Sequence, residues 1–592
     1  MSETKQITII LLATALIGIW GIALIQNVPK LFMGGNLVVE EYHATFYLNG
    51  TLVEDYLYDV RQSNMYRMLY RTWEAPVAEN QLNQPCIEVI NIDVPAGAVG
   101  YAKDYTGKVW ASSYVNEIRS LAELNEVGSF NPNRLTVGKY EVRYVFKLHP
   151  PIEYDNSVCH LNLKLANAHI PYLKVTVEIV DNGLVEEVYL HSPSLKATRE
   201  NTIKIQGSSY QDELLEIEML LKPSVLNMMD SFPSYVNNTE SATKQANTSY
   251  AMEYLAAETM ENATKILALA APLILAFLYL RQGREESYTV PKYLSYVPNP
   301  NRKPWIVNLL FKGDALDFDV NGFYATLLDL HKRGKIKITP KNGGLTIKIV
   351  DSNLDDEYEQ KVVSFLQRFA YGDTLDTDTL ANRMADFKEN REDVTELIFD
   401  LKYLTASPNP KLAYEFVVNG RKRVAILTVV SIALIGLSIF LAITLPLFFT
   451  ISIQSIANAV LLLIQSIVAL AAPSTLFGRW KGQGYKEKLE WDSFRKFLSD
   501  LAKMRQYAPE DISMWGEWLI YGTALGVGDK VAEAMKKLNI PLIEADISRH
   551  MPLFFAPIII VASPSGGGGH GGGGGGGFGG GGGFGGGGAG GR

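Results

Sequence analysis

Residues 424–445 read VAILTVVSIALIGLSIFLAITL, and residues 448–472 read FFTISIQSIANAVLLLIQSIVALAA. Neither run contains a charged residue, and each exceeds the ~20 residues that an α-helix needs to cross ~30 Å of hydrocarbon. Only Pro446 and Leu447 separate the two runs, which predicts a tight helical hairpin. Two further apolar stretches, at 7–25 and 266–280, complete a prediction of four transmembrane helices.

The basic residues at the ends of these stretches indicate their orientation. Lysines and arginines precede residue 424, follow residue 472 and follow residue 280. Because such residues concentrate on the cytoplasmic side of a membrane, residues 26–264 are predicted to lie outside and residues 282–423 and 474–592 in the cytoplasm. The protein would then be a multi-pass plasma-membrane protein. The first stretch is interpreted as a retained anchor, and a cleaved signal peptide is the alternative.

The apolar stretches divide the chain into seven predicted parts. In order, these are an N-terminal transmembrane anchor or signal (1–25), an extracytoplasmic β-rich domain (26–264), a second transmembrane helix (265–281), a cytoplasmic α/β, winged-helix-like domain (282–423), a transmembrane hairpin (424–473), a cytoplasmic helical region (474–562) and a disordered glycine-rich tail (563–592).

The external part has the pattern of β-strands. Between Tyr140 and Leu148, apolar and polar residues alternate, which is the period of a half-buried strand, and similar alternation recurs at 175–179 and 215–219. Asn49-Gly50 lies between such runs and suits a hairpin turn. The predicted fold class is therefore α+β: an integral membrane protein with an external antiparallel β-sandwich-like domain, four transmembrane helices, and cytoplasmic winged-helix-like and helical modules.

Both cysteines of the chain, Cys86 and Cys159, fall in the external part. A pair confined to the oxidising side of a membrane predicts one disulfide, and two buried free thiols are the alternative.

The external part also contains the sequence signals for N-glycosylation. Asn49, Asn237 and Asn247 are candidate acceptors, whereas Asn262 lies too near the membrane to be reached. The same part has 30 acidic and 18 basic residues. That negative charge argues against nucleic acid as an external partner.

In the cytoplasmic part, Asp319 is predicted to cap a helix that ends at Gly334, and a hairpin is predicted around residues 340–344. A helix followed by a two-stranded wing is typical of a winged-helix unit. His331, Lys332 and Arg333 could contact phosphates, but cations are favoured at a helix C-terminus by its dipole alone. No nucleic acid is expected, because the surrounding residues have no basic excess.

The fourth apolar stretch contains an amide stripe, formed by Gln454, Asn458 and Gln465, which share one side of an ideal helix. Uncharged amides in a membrane usually join helices by hydrogen bonds, whereas a solute path more often contains an ionisable group. The stripe is interpreted as a packing or oligomer contact.

Motifs of catalysis are missing from the sequence. It has no Walker A pattern, no HExxH, no GxSxG and no CxxC, so no catalytic, cofactor-binding or metal-binding residue is predicted. An acidic cluster at 351–359 is interpreted as a solvated helix N-terminus, and a divalent-cation site is the alternative.

The tail at 566–592 has 22 glycines in 27 residues. Such a composition cannot bury a core, so the tail is predicted to be disordered. Its phenylalanines could contact a partner or another copy, and an inert tail is the alternative.

Several runs resemble a known family. Pro298-Asn299-Pro300-Asn301-Arg302-Lys303-Pro304-Trp305, the segments 323–330 and 518–527, and the glycine tail are similar to the predicted membrane proteins with domain of unknown function 2207. The resemblance is strongest from about residue 288 and looser in the external part. It implies a bacterial or archaeal membrane protein with this layout, and it supplies no mechanism.

The function that follows is a non-enzymatic envelope interaction or signalling scaffold, which links an external β domain to cytoplasmic modules. An accessory subunit of a transport or secretion assembly is the alternative. The expected partners are the lipid bilayer, proteins on both faces and, as an option, further copies of the chain.

Overall fold

The computed structural model describes most of the 592 residues. The described ranges are 3–31, 33–192, 194–200, 202–315, 317–341, 344–377, 399–406, 410–506, 512–540, 543–549, 551–552 and 583–592.

The structure gives the bounds of the following helices. They are α1 Glu3–Leu31, α2 Val115–Leu121, α3 Thr239–Leu278, α4 Pro304–Val307, α5 Val320–Lys332, α6 Glu357–Phe369, α7 Pro410–Phe416, α8 Arg421–Thr444, α9 Phe449–Leu470, α10 Gly484–Leu498, α11 Leu501–Gln506, α12 Ile512–Ala524 and α13 Gly528–Lys537.

The strands of the same ranges are mostly in the first 235 residues. They are β1 Leu37–Tyr47, β2 Thr51–Val60, β3 Met68–Thr72, β4 Val77–Ala78, β5 Cys86–Asp93, β6 Val99–Lys103, β7 Val109–Ala111, β8 Glu126–Phe130, β9 Gly138–His149, β10 Pro151–Tyr154, β11 Cys159–Ala166, β12 Tyr172–Val180, β13 Val185–Leu190, β14 Lys196–Arg199, β15 Ile203–Ser209, β16 Leu215–Leu221, β17 Phe232–Tyr235, β18 Ile336–Lys341, β19 Gly344–Ile349, β20 Thr374–Asp376, β21 Val417–Val418, β22 Arg479–Trp480, β23 Phe584–Gly585 and β24 Gly588–Gly591.

The chain forms two compact units. One comprises Met1–Ile19, Ile266–Leu434 and Ala459–Gly574. The other comprises Trp20–Lys265, Ile435–Asn458 and Gly575–Arg592. We refer to the β-strand part of this second unit as the β domain.

Four helices among the described residues are long and apolar enough to cross a membrane. They occupy Glu3–Asn27, Thr239–Gly283, Arg421–Thr444 and Pro446–Leu470. The four apolar stretches of the sequence are therefore confirmed as helices. The second is longer than its 15-residue apolar stretch, because α3 begins at Thr239 and continues into that stretch without a break, for a total of 40 residues.

The β domain contains three sheets. Their strand orders are β14-β15-β12-β1-β2-β9-β5-β4, β13-β16-β11-β10-β17 and β24-β3-β8-β6-β7. The alternation at 140–148 lies in β9, and Asn49-Gly50 forms the turn between β1 and β2, where Gly50 has a φ of 92°. The prediction of a purely antiparallel domain is wrong, because β1 pairs with β12 in parallel and β10 pairs with β17 in parallel.

Buried and half-buried residues alternate along β2, and this alternation determines which side chains form the core face of the largest sheet. Every second residue of this strand is buried, which brings Leu52, Tyr56, Tyr58 and Val60 to the core face. Glu54 shares that face and is fully buried. The core therefore contains a charge that needs partners inside the domain.

The prediction of a disordered tail is wrong for residues 583–592. β24 pairs antiparallel with β3, and β23 pairs in parallel with β11. Residues 553–582 lie outside the described residues. Because residues 583–592 fold as part of the β domain, they cannot be cytoplasmic while residues 26–264 are external, so that part of the predicted topology is inconsistent with the structure.

The predicted disulfide is also wrong. Both thiols are free and buried, with Cys86 on β5 and Cys159 on β11. These strands belong to different sheets, and the Cys86 sulfur accepts a hydrogen bond from the Leu82 amide at 3.4 Å. The thiols therefore pack as small apolar groups.

The other unit has its own core, which contains the large side chains of Trp491, Trp515 and Trp518. The predicted helix before Gly334 is α5, and the carboxylate of Asp319 caps it by accepting from the Asn321 amide at 3.0 Å. The hairpin that follows is β18 and β19, to which β20 adds a third strand.

Candidate functional site

A network of buried charges lies in the β domain beside the first turns of α3. Glu216 and Glu218 are on β16, His160 is on the neighbouring β11, and His191 follows β13. Glu216 and Glu218 alternate with Leu215, Ile217 and Met219, so they share one face of the strand, yet only 2% and 6% of their surfaces are exposed.

Glu218 is the centre of this histidine–glutamate network. Its carboxylate oxygens lie 2.6 Å from His160 Nε2 and 3.3 Å from His191 Nε2. Asn247 on α3 donates its amide to the same carboxylate at 2.6 Å. One carboxylate therefore holds together two strands, a loop and a helix.

His191 is held on both sides of its ring. Nδ1 lies 2.7 Å from a Glu216 oxygen, and Nε2 lies 3.0 Å from the Asn247 side-chain oxygen. The doubly protonated ring donates to both acceptors. On the far side of Glu218, His160 Nδ1 lies 3.1 Å from Glu153.

Burial and hydrogen bonding act in opposite directions on the two central groups. Burial disfavours the charged ring of His191, but its hydrogen bonds with Glu216, Glu218 and Asn247 outweigh burial and raise its pKa to about 10. Burial raises the pKa of Glu218, but hydrogen bonds from His160, His191 and Asn247 lower it to about 2. His191 and Glu218 are therefore both charged at neutral pH.

A cavity of about 370 Å³ borders the network. Asn247 belongs to both, because its side chain bonds His191 and also lines the cavity. The wall comes from β13, the loop after it and α3, through Val188, Tyr189, Leu190, Ser192, Leu195, Asn247, Tyr250, Ala251 and Tyr254.

Two tyrosines of this wall also contact the helical hairpin. The ring centroid of Tyr250 lies 4.7 Å from that of His191 and 5.0 Å from that of Phe448. Tyr254 lies 5.6 Å from Phe448. Phe448 immediately precedes α9, so the cavity wall and the start of this apolar helix share side chains.

The amide stripe joins helices of the same chain. Gln465 donates to the backbone oxygens of Thr14 on α1 at 2.8 Å and Ala268 on α3 at 2.9 Å. Asn458 donates to Glu261 on α3 at 3.3 Å. Gln454 is half-buried. The two buried amides thus have the helix-joining contacts that their position predicts.

Glu261 is a site residue that the sequence pattern did not reveal. Its side chain is 13% exposed and lies 3.3 Å from Lys265. Its partner Asn458 is the tenth residue of the 22-residue apolar helix α9. Glu261 precedes the apolar stretch of α3, so only the packing of the helices brings its charge beside an apolar segment.

The candidate glycosylation sites differ in exposure. Asn49 and Asn237 are exposed, whereas Asn247 is 7% exposed and uses its amide group within the network. Modification of Asn247 is therefore excluded in the folded β domain, and this prediction is wrong.

Two basic residues near the C-terminus of α5 are paired within the other unit. Lys332 pairs with Glu517, and Arg333 pairs with Asp329 and Glu359. Asp356 caps α6, so the acidic cluster lies at a helix N-terminus as interpreted, but it is not fully solvated, because Glu359 is buried. Among the residues that the structure describes, no group of three His, Cys, Asp or Glu side chains could hold a metal ion.

Two family models match the chain. The predicted membrane protein (DUF2207) N-terminal domain matches residues 38–221, which cover most of the β domain. The C-terminal domain of the same family matches residues 290–535. The chain belongs to the DUF2207 family. The resemblance seen in the sequence is therefore confirmed, and the family is one of predicted membrane proteins.

Other comparisons add no argument about function. No curated protein matches the chain. An M1 zinc metallopeptidase from Deinococcus radiodurans is 11% identical, with a TM-score of 0.19, and the match covers 31% of this chain and 43% of the peptidase. A mutant of that enzyme is 12% identical, with the same TM-score, over 31% and 42% of the two chains. The chain thus matches less than half the length of these enzymes.

Proposed function

We propose that this DUF2207 protein is a non-enzymatic envelope scaffold that binds a ligand or a neighbouring protein at the cavity and signals through its helices. In this proposal the β domain, including residues 583–592, lies outside, and residues 282–423 and the chain that directly follows residue 474 lie in the cytoplasm, as the basic flanks of the apolar helices favour. One observation carries the proposal: α3, which forms part of the cavity wall, continues without a break into an apolar segment.

The contacts suggest how an occupant would be sensed. Tyr250 touches His191 in the network and Phe448 at the start of α9. An occupant that moves this ring would alter both the network and the hairpin. A signal in this protein would therefore be a change in helix packing, with no covalent step.

The chemistry of the wall indicates the class of occupant. Three tyrosines and three aliphatic side chains line the cavity, and the network behind Asn247 contains three glutamates and two histidines. The network thus contains one more carboxyl group than imidazole rings. Aromatic rings and negative charge favour an occupant with an apolar or cationic group.

On the cytoplasmic side, the proposed partners are proteins. The unit containing α5 and the β18–β19 hairpin has the order of elements of a winged helix, but Lys332 and Arg333 are paired with carboxylates. These cations are already neutralised, which disfavours binding to phosphates and favours a protein-contact role. Further copies of the chain are included among the partners proposed.

The test uses the full chain in membranes with a photo-reactive amino acid at Tyr189, on the β13 wall of the cavity. We expect an adduct with an envelope component. Ala251→Trp places a large side chain in the cavity from an exposed position and should abolish the adduct. Ala256→Trp, at another exposed position of α3, is the matched control and should retain it. No adduct, or equal adducts in both variants, would refute the proposal.

The alternative, an accessory role in a transport or secretion assembly, has one observation in its favour. Glu261 lies beside the middle of the apolar helix α9, and ionisable groups inside membranes often mark transport paths. Recovery of a transporter or secretion complex after mild detergent extraction, and its loss on Glu261→Gln, would favour this role. Recovery unaffected by Glu261→Gln would remove the argument.

A further inference from the structure

The segment 583–592 lies in a groove of the β domain that we call the strand groove. Its walls are β3 on one side, where Ala589 is opposite Arg71, and β11 on the other, where Phe584 is opposite Leu163. Residues 585–590 are all buried. The groove thus takes up an extended segment more than 300 residues away in the chain.

The groove fits glycine. Gly585, Gly586 and Gly587 have φ values of 113°, 68° and 77°, which side chains rarely allow. A Cβ atom on Gly587 would lie 2.1 Å from the Thr72 oxygen, and one on Gly588 would lie 2.6 Å from the Ala168 oxygen. Backbone cannot move aside as a flexible side chain can, so the groove excludes most other residues at these positions.

Side chains of the β domain reach the backbone of the segment. Arg71, which is fully buried, donates to the Gly586 oxygen at 2.8 Å. The Tyr172 hydroxyl accepts from the Ala589 amide at 3.0 Å, and the Asn167 side-chain oxygen accepts from the Gly587 amide at 2.7 Å. The buried side chains of Arg71 and Tyr172 therefore each bond the backbone of the segment.

One end of the segment is held by charge. Arg592 lies 2.7 Å from Glu123 and 3.1 Å from Glu126, and its guanidinium is 4.6 Å from the centre of the Tyr70 ring. The Glu126 side chain is fully buried. A buried carboxylate needs a partner, so this position favours a basic residue.

From these contacts we propose that the strand groove is a binding site for a glycine-rich strand ending in a basic residue, and that its occupant is the chain's own segment 583–592. The segment completes the sheet of β3 by strand addition. The other strands of that sheet, β8, β6 and β7, pair without it. The proposal is independent of the cavity and of any partner bound there.

The proposal has a consequence for membrane topology. With four crossing helices, the chain that leaves α9 is on the side opposite to the β domain, whereas the occupied groove requires residues 583–592 on the same side. Residues 583–592 must therefore lie in the same compartment as the β domain.

The test is disulfide cross-linking in intact cells with Tyr70→Cys and Gly590→Cys combined in the full chain. These residues are directly opposite each other, and the ring that a Cβ at residue 590 would meet is removed by the first substitution. Thr198→Cys with Gly590→Cys is the matched control, because Thr198 is exposed on the edge strand β14.

We expect a reduction-sensitive shift in the electrophoretic mobility of the monomer for the first pair and none for the control. Equal cross-linking in both pairs, or none in the first, would overturn the proposal. Cross-linked dimers in place of the monomer would overturn the part that assigns the groove to the chain's own segment.

A second experiment tests the glycine preference. A chain that ends at Gly582 should bind a labelled peptide of residues 581–592, as measured by fluorescence anisotropy in detergent. A peptide with Gly587→Val should bind at least tenfold more weakly, and so should one in which Phe584 and Arg592 are exchanged. Equal binding of all three would refute recognition by the groove. Should the shortened chain fail to fold, the cross-linking result decides.

Discussion

Replacing Glu218 by glutamine should weaken the β domain and change how its stability depends on pH. The substitution keeps the shape of the side chain but removes the charge that His160 and His191 share. The pKa of His191 is raised from 6.5 to about 10. This shift corresponds to at most roughly 5 kcal/mol of stabilisation of the folded β domain, at about 1.4 kcal/mol per pKa unit. Loss of one member of a buried ion pair typically costs about 3–5 kcal/mol.

The direction of the pH effect follows from the raised pKa. The contribution of His191 is complete below pH 6.5, where the ring is charged in folded and unfolded chains, and it is lost as the pH rises towards 10. Glu218 acts in the opposite direction, because its contribution is lost as the pH falls from 4.5 towards 2. The β domain should therefore be most stable between about pH 4.5 and 6.5.

The measurement is thermal unfolding of the detergent-solubilised full chain at pH 6 and pH 9. At pH 6, Glu218→Gln should lower the unfolding temperature of the β domain by about 6–20 °C, at roughly 2–4 °C per kcal/mol for a loss of about 3–5 kcal/mol. Between pH 6 and pH 9, the unfolding temperature of the Glu218→Gln chain should fall by less than that of the unmodified chain. Glu178→Gln, which breaks the half-exposed pair of Glu178 with His43, is the matched control. A Glu218→Gln chain with unchanged stability and unchanged pH dependence would refute the reasoning.

Three further outcomes are expected. Arg71→Leu leaves the buried carboxylate of Glu54 without its cation and should lower the free energy of unfolding by about 3–5 kcal/mol, as measured by thermal unfolding. Arg61→Leu, which removes a more exposed ion pair with Asp59, should lower it by less than about 1 kcal/mol. Gln465→Leu should leave membrane insertion intact and cost about 1 kcal/mol for its two interhelical hydrogen bonds, and the half-buried Gln454→Leu should cost less. Reduction of the native protein should leave its electrophoretic mobility unchanged, since both thiols are free, and a shift would contradict the structure.

The sequence predicted those elements whose pattern is local. Charge-free apolar runs identified α8 and α9, and alternation identified β9, because helix and strand periods are properties of neighbouring residues. The cap at Asp319 was predicted for the same reason. Pairing between distant strands, such as the parallel contact of β1 with β12, has no local signal.

The candidate site was not predictable, because its residues resemble a solvated surface. Glu216 and Glu218 alternate with apolar residues, as exposed residues of a half-buried strand do. Only the packing of α3 and the position of His191 show that this face is covered. Asn247 likewise fits a glycosylation signal in sequence and an internal hydrogen-bond network in structure.

The tail was mispredicted for a different reason. Glycine-rich composition indicates that a segment cannot build a core of its own. It does not indicate whether a groove elsewhere in the chain provides one, and the steric fit around Gly587 and Gly588 is visible only with the groove present.

The late position of β24 in the chain has a consequence for synthesis. The strands of the β domain other than β23 and β24 are complete by Tyr235, and these two follow about 350 residues later. At about 5–20 residues per second, a ribosome needs roughly 17–70 seconds to cover that distance. During this time the edge of β3 has no partner, and the Gly586 oxygen that Arg71 binds does not yet exist. An open strand edge invites pairing with other chains, so the newly made β domain is exposed to misassembly and to proteases throughout this interval. The sheet of β3 reaches its described state only after β24 has been translated.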